Sequence, residues 1–185
     1  MKKLSLILFS LLILGACSKE NKQYTIDKNR VGKITDSTKV KDLEKIFEKD
    51  SIVKNTEGDS AFEAYDEYTV FDKKTKEPLL IIIPKLTNNP ESVIKEVDIL
   101  SPKYQTLKGI TIESTYGQVK KAHKIGKLDT SLNYIVLYLD DLNAIMDVRK
   151  SELPLSLQNN PGLKIDQTMI PEKAKMKHFI VFIND

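Results

Sequence analysis

Val31-Gly32-Lys33-Ile34-Thr35-Asp36-Ser37-Thr38 and Leu107-Lys108-Gly109-Ile110-Thr111-Ile112-Glu113-Ser114-Thr115 run in the same order: a glycine, Ile-Thr, an acidic residue, then Ser-Thr. After the first, Val40, Leu43, Ile46 and Phe47 make one apolar stripe on a helix of about 38–49, with N-cap oxygens available from Asp36-Ser37-Thr38. After the second, Val119 and Ala122 lie on a shorter helix of about 115–124, with Ser114 and Thr115 as candidate caps and Gly126 as its stop. Each helix is followed by a meander of strand-like segments. One such unit cannot hide its sheet face alone, whereas two can share a continuous sheet with both helices on one side. The expected fold is therefore α+β: a mainly antiparallel sheet, two short helices on one face, and two weakly related halves of about 24–102 and 103–185 in a single domain of 24–185. Chance similarity between two helix starts is the alternative.

The strands follow from composition and alternation. Tyr24–Asp27 is a weak opening strand, and Ser51-Ile52-Val53 leads to a turn at Asn55–Asp59. Ala61–Phe71 is rich in Phe, Tyr, Thr and Val, and Lys73–Glu77 is a charged hairpin turn. Leu79–Ile83 is a continuous apolar run between Pro78 and Pro84, the mark of a central strand. Val93–Leu100 alternates, with one face suited to a core and the other mixed. In the second half Leu132–Leu139 is a strong strand, Asp140–Asn143 a turn, and Ala144–Val148 the return. Leu153-Pro154 and Asn159–Gly162 mark an irregular excursion. Met176–Ile183 reads as a strand buried on both sides.

Residues 1–17, MKKLSLILFSLLILGAC, are of another kind. Lys2 and Lys3 precede an eleven-residue stretch, Leu4 to Leu14, that is apolar apart from Ser5 and Ser10. It is too short for a bilayer core, which takes roughly 20 residues, and has the proportions of a secretory signal. Leu14-Gly15-Ala16-Cys17 resembles the lipobox of bacterial lipoproteins, which implies cleavage after residue 16 and lipidation of Cys17. The Cys then carries a thioether-linked diacylglyceryl group and an amide-linked acyl chain such as palmitate. A plain signal peptide or an uncleaved anchor is the alternative. Two or more chains hold firmly where one is marginal. Residues 17–23 form the lipidated Cys and a polar tether. Ser18 at the second position, with Cys-Ser-Lys-Glu after the cleavage site, is similar to outer-membrane lipoproteins and to the export tag of surface lipoproteins in Bacteroidetes-type bacteria. Asp36-Ser37-Thr38, Asp50-Ser51-Ile52 and Asp59-Ser60-Ala61 resemble the O-glycosylation tripeptide of that group. The expected location is the outer membrane, on its periplasmic or surface side.

The two-unit pattern also resembles β-lactamase-inhibitor-like proteins and small outer-membrane-assembly lipoproteins of the SmpA type, in which a Gly-x-Thr-type lead-in opens a short helix packed on an antiparallel sheet. The match covers some 15 residues per half and lacks the usual Gly-x-Pro after the helix. It implies a fold and a habit of binding proteins, and carries over no functional residue.

Composition excludes much chemistry. The 185 residues are 41% hydrophobic and 30% charged, with one Cys and two His. No disulfide framework or Cys-based zinc cage can form. Cleavage would remove Lys2 and Lys3, leaving 27 basic residues against 26 acidic, or +1 in place of +3. Nucleic acid as a partner would call for a concentrated basic face. Seven glycines, none clustered, and the absence of Gly-x-Ser-x-Gly and His-Glu-x-x-His speak against a nucleotide site or a familiar hydrolase. His123 near the end of the second helix is read as a favourable helix-end group, and His178 as a strand residue. A His123–His178 metal pair has no support in the spacing. Asp59, Glu63, Asp66 and Glu67 lack calcium-loop grammar, and Asp140-Asp141 suits a turn. No catalytic residue, metal ligand or cofactor is expected.

Tyrosines remain. Tyr65, Tyr68, Tyr134 and Tyr138 are the candidate partner-binding face, either exposed anchors on an open sheet or ordinary strand formers. The expected function is that of a lipid-anchored, non-catalytic protein-binding module (an assembly factor, inhibitor or immunity-like protein) that touches the membrane through Cys17. A small-ligand or metal carrier is the alternative. A hydrolase would need His123 or His178 beside a carboxylate and a nucleophile.

Overall fold

The computed structural model describes residues 23–57, 65–158 and 164–184. Cys17, the signal region and Asp59-Ser60-Ala61 lie outside them. Strands β1 (Thr25–Asp27) and β2 (Arg30–Val31) form a small sheet with β7 (Gln105–Thr106). The main sheet has eight strands, β3 (Asp50–Glu57), β4 (Tyr65–Asp72), β5 (Pro78–Pro84), β6 (Ile94–Ile99), β8 (Ile125–Thr130), β9 (Tyr134–Leu139), β10 (Ala144–Arg149) and β11 (Met176–Phe182). Their spatial order is β3-β4-β5-β6-β11-β10-β9-β8, antiparallel throughout. Each half is thus a four-stranded meander, and the last strands of the two meanders pair at the centre, Val97 with Val181 and Asp98 with Ile180.

The repeat extends to individual hydrogen bonds. Thr35 N–H donates to Thr38 Oγ1 at 2.9 Å, and Thr111 N–H to Ser114 Oγ at 3.0 Å. Helix α1 (Leu43–Ile46), entered through a 3-10 turn at Val40–Asp42, takes its place after the first motif; α2 (Tyr116–Ala122) follows the second. The first two N–H groups of each helical segment donate to a loop just before the last strand of the same unit: Val40 and Lys41 to Ser92 and Pro90, Tyr116 and Gly117 to Ala174 and Glu172. The orphan donors of a helix start thereby tie each helix to its own meander.

Both lead-in glycines are left-handed, Gly32 at φ +56° and Gly109 at φ +78°. A Cβ on Gly32 would lie 2.4 Å from the Gln23 carbonyl oxygen, whereas one on Gly109 meets nothing within 4 Å. Gly109→Ala is therefore expected to cost only the conformational penalty of about 1–2 kcal/mol. Gly32→Ala should cost more, because backbone must also move. Urea denaturation of the two variants compares them directly; equal losses would refute the steric part.

Several sequence readings shift. The first helix ends at Ile46, not near 49, with Asp42 at its N-cap, and Lys39, at the N-cap of the 3-10 turn before it, donates its N–H to Asp42 Oδ2 at 3.0 Å. Thr115 caps α2 with Gln118 in a reciprocal box. Gly126 does not stop that helix: His123 is the C-cap in extended conformation, and Gly126 belongs to β8, a strand the sequence reading omitted. Met176–Phe182 is buried on one side only, with Phe179 and Val181 inward and His178, Ile180 and Phe182 half-buried on the other face. Along β6, Ile94 joins Val97 and Ile99 in the core because the register shifts between Ile83 and Pro84, which breaks the simple alternation. A third short helix, α3 (Leu155–Gln158), follows a 3-10 turn at Lys150–Glu152.

Candidate functional site: the open face of the sheet

Residues directly opposite one another on paired strands share a face. One row, Lys54-Tyr68-Ile82-Val97-Val181-Ala144-Leu139-Ile125, crosses all eight strands. Its central members are buried in one core with Leu43 and Phe47 of the first helical region and Tyr116 and Val119 of α2. The segment 165–174 lies over α2: Tyr116 Oη donates to the Gln167 carbonyl at 2.8 Å. This is the helix face.

The neighbouring row is Val53-Thr69-Ile81-Asp98-Ile180-Ile145-Tyr138-Lys127. It belongs to the opposite face, as do Val136 and Asp147, which pair with each other, and Tyr134 with Arg149. Along β9 and β10 these positions are half-buried or exposed while their alternates are buried. The result is a broad, partly apolar sheet surface in contact with solvent.

Of the four tyrosines, Tyr134 and Tyr138 stand on this open face. Tyr65 has the same parity as Thr69 on β4 and is 42% exposed, toward the other edge of the sheet. Tyr68 is a correction to the single-face grouping. It lies in the helix-face row, packed on the core, with Lys54 Nζ 5.9 Å from its ring centroid and Asp66 buried beside them. Parity along β4 separates Tyr65 from Tyr68.

At the centre of the open face, three titratable side chains meet that the sequence reading did not group. His178 Nδ1 is 2.7 Å from Asp147 Oδ2, and the Tyr134 ring packs edge-on against the imidazole at 5.1 Å. Asp98, paired with Ile180 and Ile81, is pushed up to about 6 by burial; Asp147 adds to the rise, while His178 and backbone N–H groups of Phe179 and Ile99 oppose it. Asp98 Oδ1 and Asp147 Oδ1 are both buried without a hydrogen-bond partner. Only pairing register could have revealed this group, because residues 98, 147 and 178 are distant in sequence.

His123 is a separate network on the helix side. Thr106 Oγ1 accepts from the N–H groups of Ile110 (3.1 Å) and Lys108 (3.3 Å), so its own proton points to His123 Nε2 at 3.1 Å. That leaves Nδ1 carrying the hydrogen for Asp141 Oδ2 at 3.0 Å, where Lys108 Nζ also donates. Burial raises the Asp141 carboxyl, but the bonds from His123 and Lys108 outweigh it and hold it below the ordinary value. A hydroxyl, an imidazole and a carboxylate do come together here, yet Thr106 is 3% exposed and both of its acceptor sites are filled by backbone. The network ties β7, the end of α2 and the β9–β10 turn to one another. His123 and His178 do not meet, and among the described residues no group of three or more His, Cys, Asp or Glu is arranged to hold a metal.

Ser37 of the first glycosylation-like tripeptide is exposed, and Ser51 of the second is half-buried on the edge strand β3. The described residues form open grooves on the surface. One of about 700 Å³ lies between Lys108–Ile110 and α2, and one of about 480 Å³ lies where β9 begins and β10 ends.

No family model and no curated protein matches the chain. The fold is similar to the crystal structure of the uncharacterized protein yfeY from Escherichia coli, with a TM-score of 0.57 at 11% identity, over 86% of this chain and 99% of that one. At that identity the likeness is one of fold.

Proposed function

We propose that the protein is a lipid-anchored, non-catalytic envelope protein that binds a protein partner through the open face of its sheet. The observation that supports this reading is the one-sided placement of the helices. Both pack on the same face, and the other presents Ile81, Ile180, Ile145, Val136, Tyr134 and Tyr138 to solvent. Apolar and aromatic groups around a few polar ones are the make-up of an interface core. Two buried carboxylate oxygens lacking hydrogen bonds add a site where a partner's donor, or a proton, removes a desolvation cost. The Leu14–Cys17 lipobox, with the short tether behind it, supplies the anchor. Among the described residues no helix is long and apolar enough to cross a membrane.

The test is site-specific photocrosslinking in intact envelopes. A benzoylphenylalanine at Tyr138 or Ile145 is expected to trap one discrete adduct, and the same group at the exposed Lys45 of α1 is not. Ile145→Lys should weaken that partner by about 2 kcal/mol, near thirtyfold, if Ile145 is at the centre of the contact. Adducts at Lys45 alone, or none from a folded and lipidated protein, would refute the reading.

A further inference from the structure

We infer that the end of the sheet carrying Leu132, Leu155, Arg149 and Lys150 docks on an anionic phospholipid surface. Leu132 and Leu155 are 87% and 77% exposed, the most exposed of the large apolar side chains described. Leu132 sits in the turn between β8 and β9, and Leu155 opens α3 just beyond the end of β10. Tyr134 and Arg149, the first residue of β9 and the last of β10, pair directly, which brings the two leucines to one end of the strands. The groove of about 480 Å³ there is lined by Leu132, Tyr134, Arg149 and Lys150 together with small polar groups, and Gln158 of α3 closes it. Among the described residues no carboxylate lines it, and neither Arg149 nor Lys150 is ion-paired. Glu152, in the neighbouring 3-10 turn, is not part of the lining.

Aliphatic tips beside unpaired cations and a tyrosine match the bilayer boundary: acyl chains for the leucines, phosphates for the cations, and the headgroup layer for Tyr134. The chain's own path favours a membrane over another occupant. Antiparallel order puts the start of β3, the end of β10 and the start of β9 at the same end of the sheet. Gln23, the first described residue, borders a crevice with Asp50, where β3 begins, and Tyr104. Residues 17–22 span at most about 20 Å when extended. A lipid on Cys17 would therefore hold this end of the sheet toward the bilayer and leave the open face standing away from it. This part of the argument rests on the anchor reading proposed above.

The test places an environment-sensitive fluorophore on Leu132→Cys or Leu155→Cys in the mature lipidated protein, reconstituted in phosphatidylethanolamine–phosphatidylglycerol vesicles, with Val53→Cys on edge strand β3 as comparison. Labels at 132 and 155 are expected to shift to the blue and be quenched by lipid-borne quenchers, while the label at 53 stays aqueous. Arg149→Gln and Lys150→Gln should each weaken the lipid-contacting state about fivefold, as should phosphatidylcholine vesicles. Water-like signals at 132 and 155 on protein that remains vesicle-bound would overturn the docking inference and spare the anchor. Protein that does not stay on the vesicles would overturn both.

Discussion

Phe179→Ala is expected to destabilise the protein by about 3–5 kcal/mol, a large share of the roughly 5–15 kcal/mol available to a domain. The ring is fully buried on the helix face, opposite Met146, and next in sequence to Ile180, which pairs with Asp98 across the junction of the two meanders. The core runs unbroken from Leu43 and Phe47 on one side to Tyr116 and Val119 on the other. Loss at the junction should therefore lower both halves together. Urea unfolding followed by circular dichroism and by tyrosine fluorescence should give one coincident transition at lower denaturant. Two separate transitions would show that the halves unfold independently.

Asp98→Asn is expected to act in the opposite direction. The folded-state pKa of about 6 lies above the ordinary 3.8, so folding favours the protonated carboxyl. The penalty for ionising it is absent below about pH 4, grows between pH 4 and 6, and is complete above that. Two pKa units correspond to about 3 kcal/mol, part of which an amide retains as its own unsatisfied hydrogen-bonding groups. The variant should thus gain about 2 kcal/mol at pH 7.5 and almost nothing at pH 4, read as thermal midpoints at the two values. The wild type should lose stability as pH rises from 4 to 6 relative to the variant. A gain independent of pH would place the effect in packing instead. The same substitution removes a negative charge from the middle of the open face, so it also reports on partner binding there.

Much of the architecture was legible because it depends on local chemistry. The Gly, Ile-Thr, acidic, Ser-Thr motif recurs with the same hydroxyl-to-backbone bond in both copies, and each copy opens a helix that ties itself to its own meander. Pro78 and Pro84 bracket an inner strand as their flanking of an apolar run implied. Short or bulged segments were harder to read. Strand β8, IGKLDT, has one glycine and three charged or polar residues and forms because β9 offers it an edge. The first helix stops at Ile46, where Phe47 leaves helical geometry and turns the chain into β3.

The candidate site was legible only in part. Tyr134 and Tyr138 reach the open face by simple alternation, but Tyr68 faces the helices, and nothing in its local sequence says which side of β4 the core will take. The Asp98–His178–Asp147 group is created by register across β6, β11 and β10, and its altered ionisation comes from the isoleucines that the same register places around Asp98. The sequence by itself determined the fold class, the twofold repeat and most of the longer strands, because turn chemistry and apolar periodicity act within a few residues. The tertiary structure alone decided which face stayed open, that the two meanders join through their last strands, and that Asp147 meets His178 beside the buried Asp98, because those depend on pairing between strands that the chain brings together from far apart.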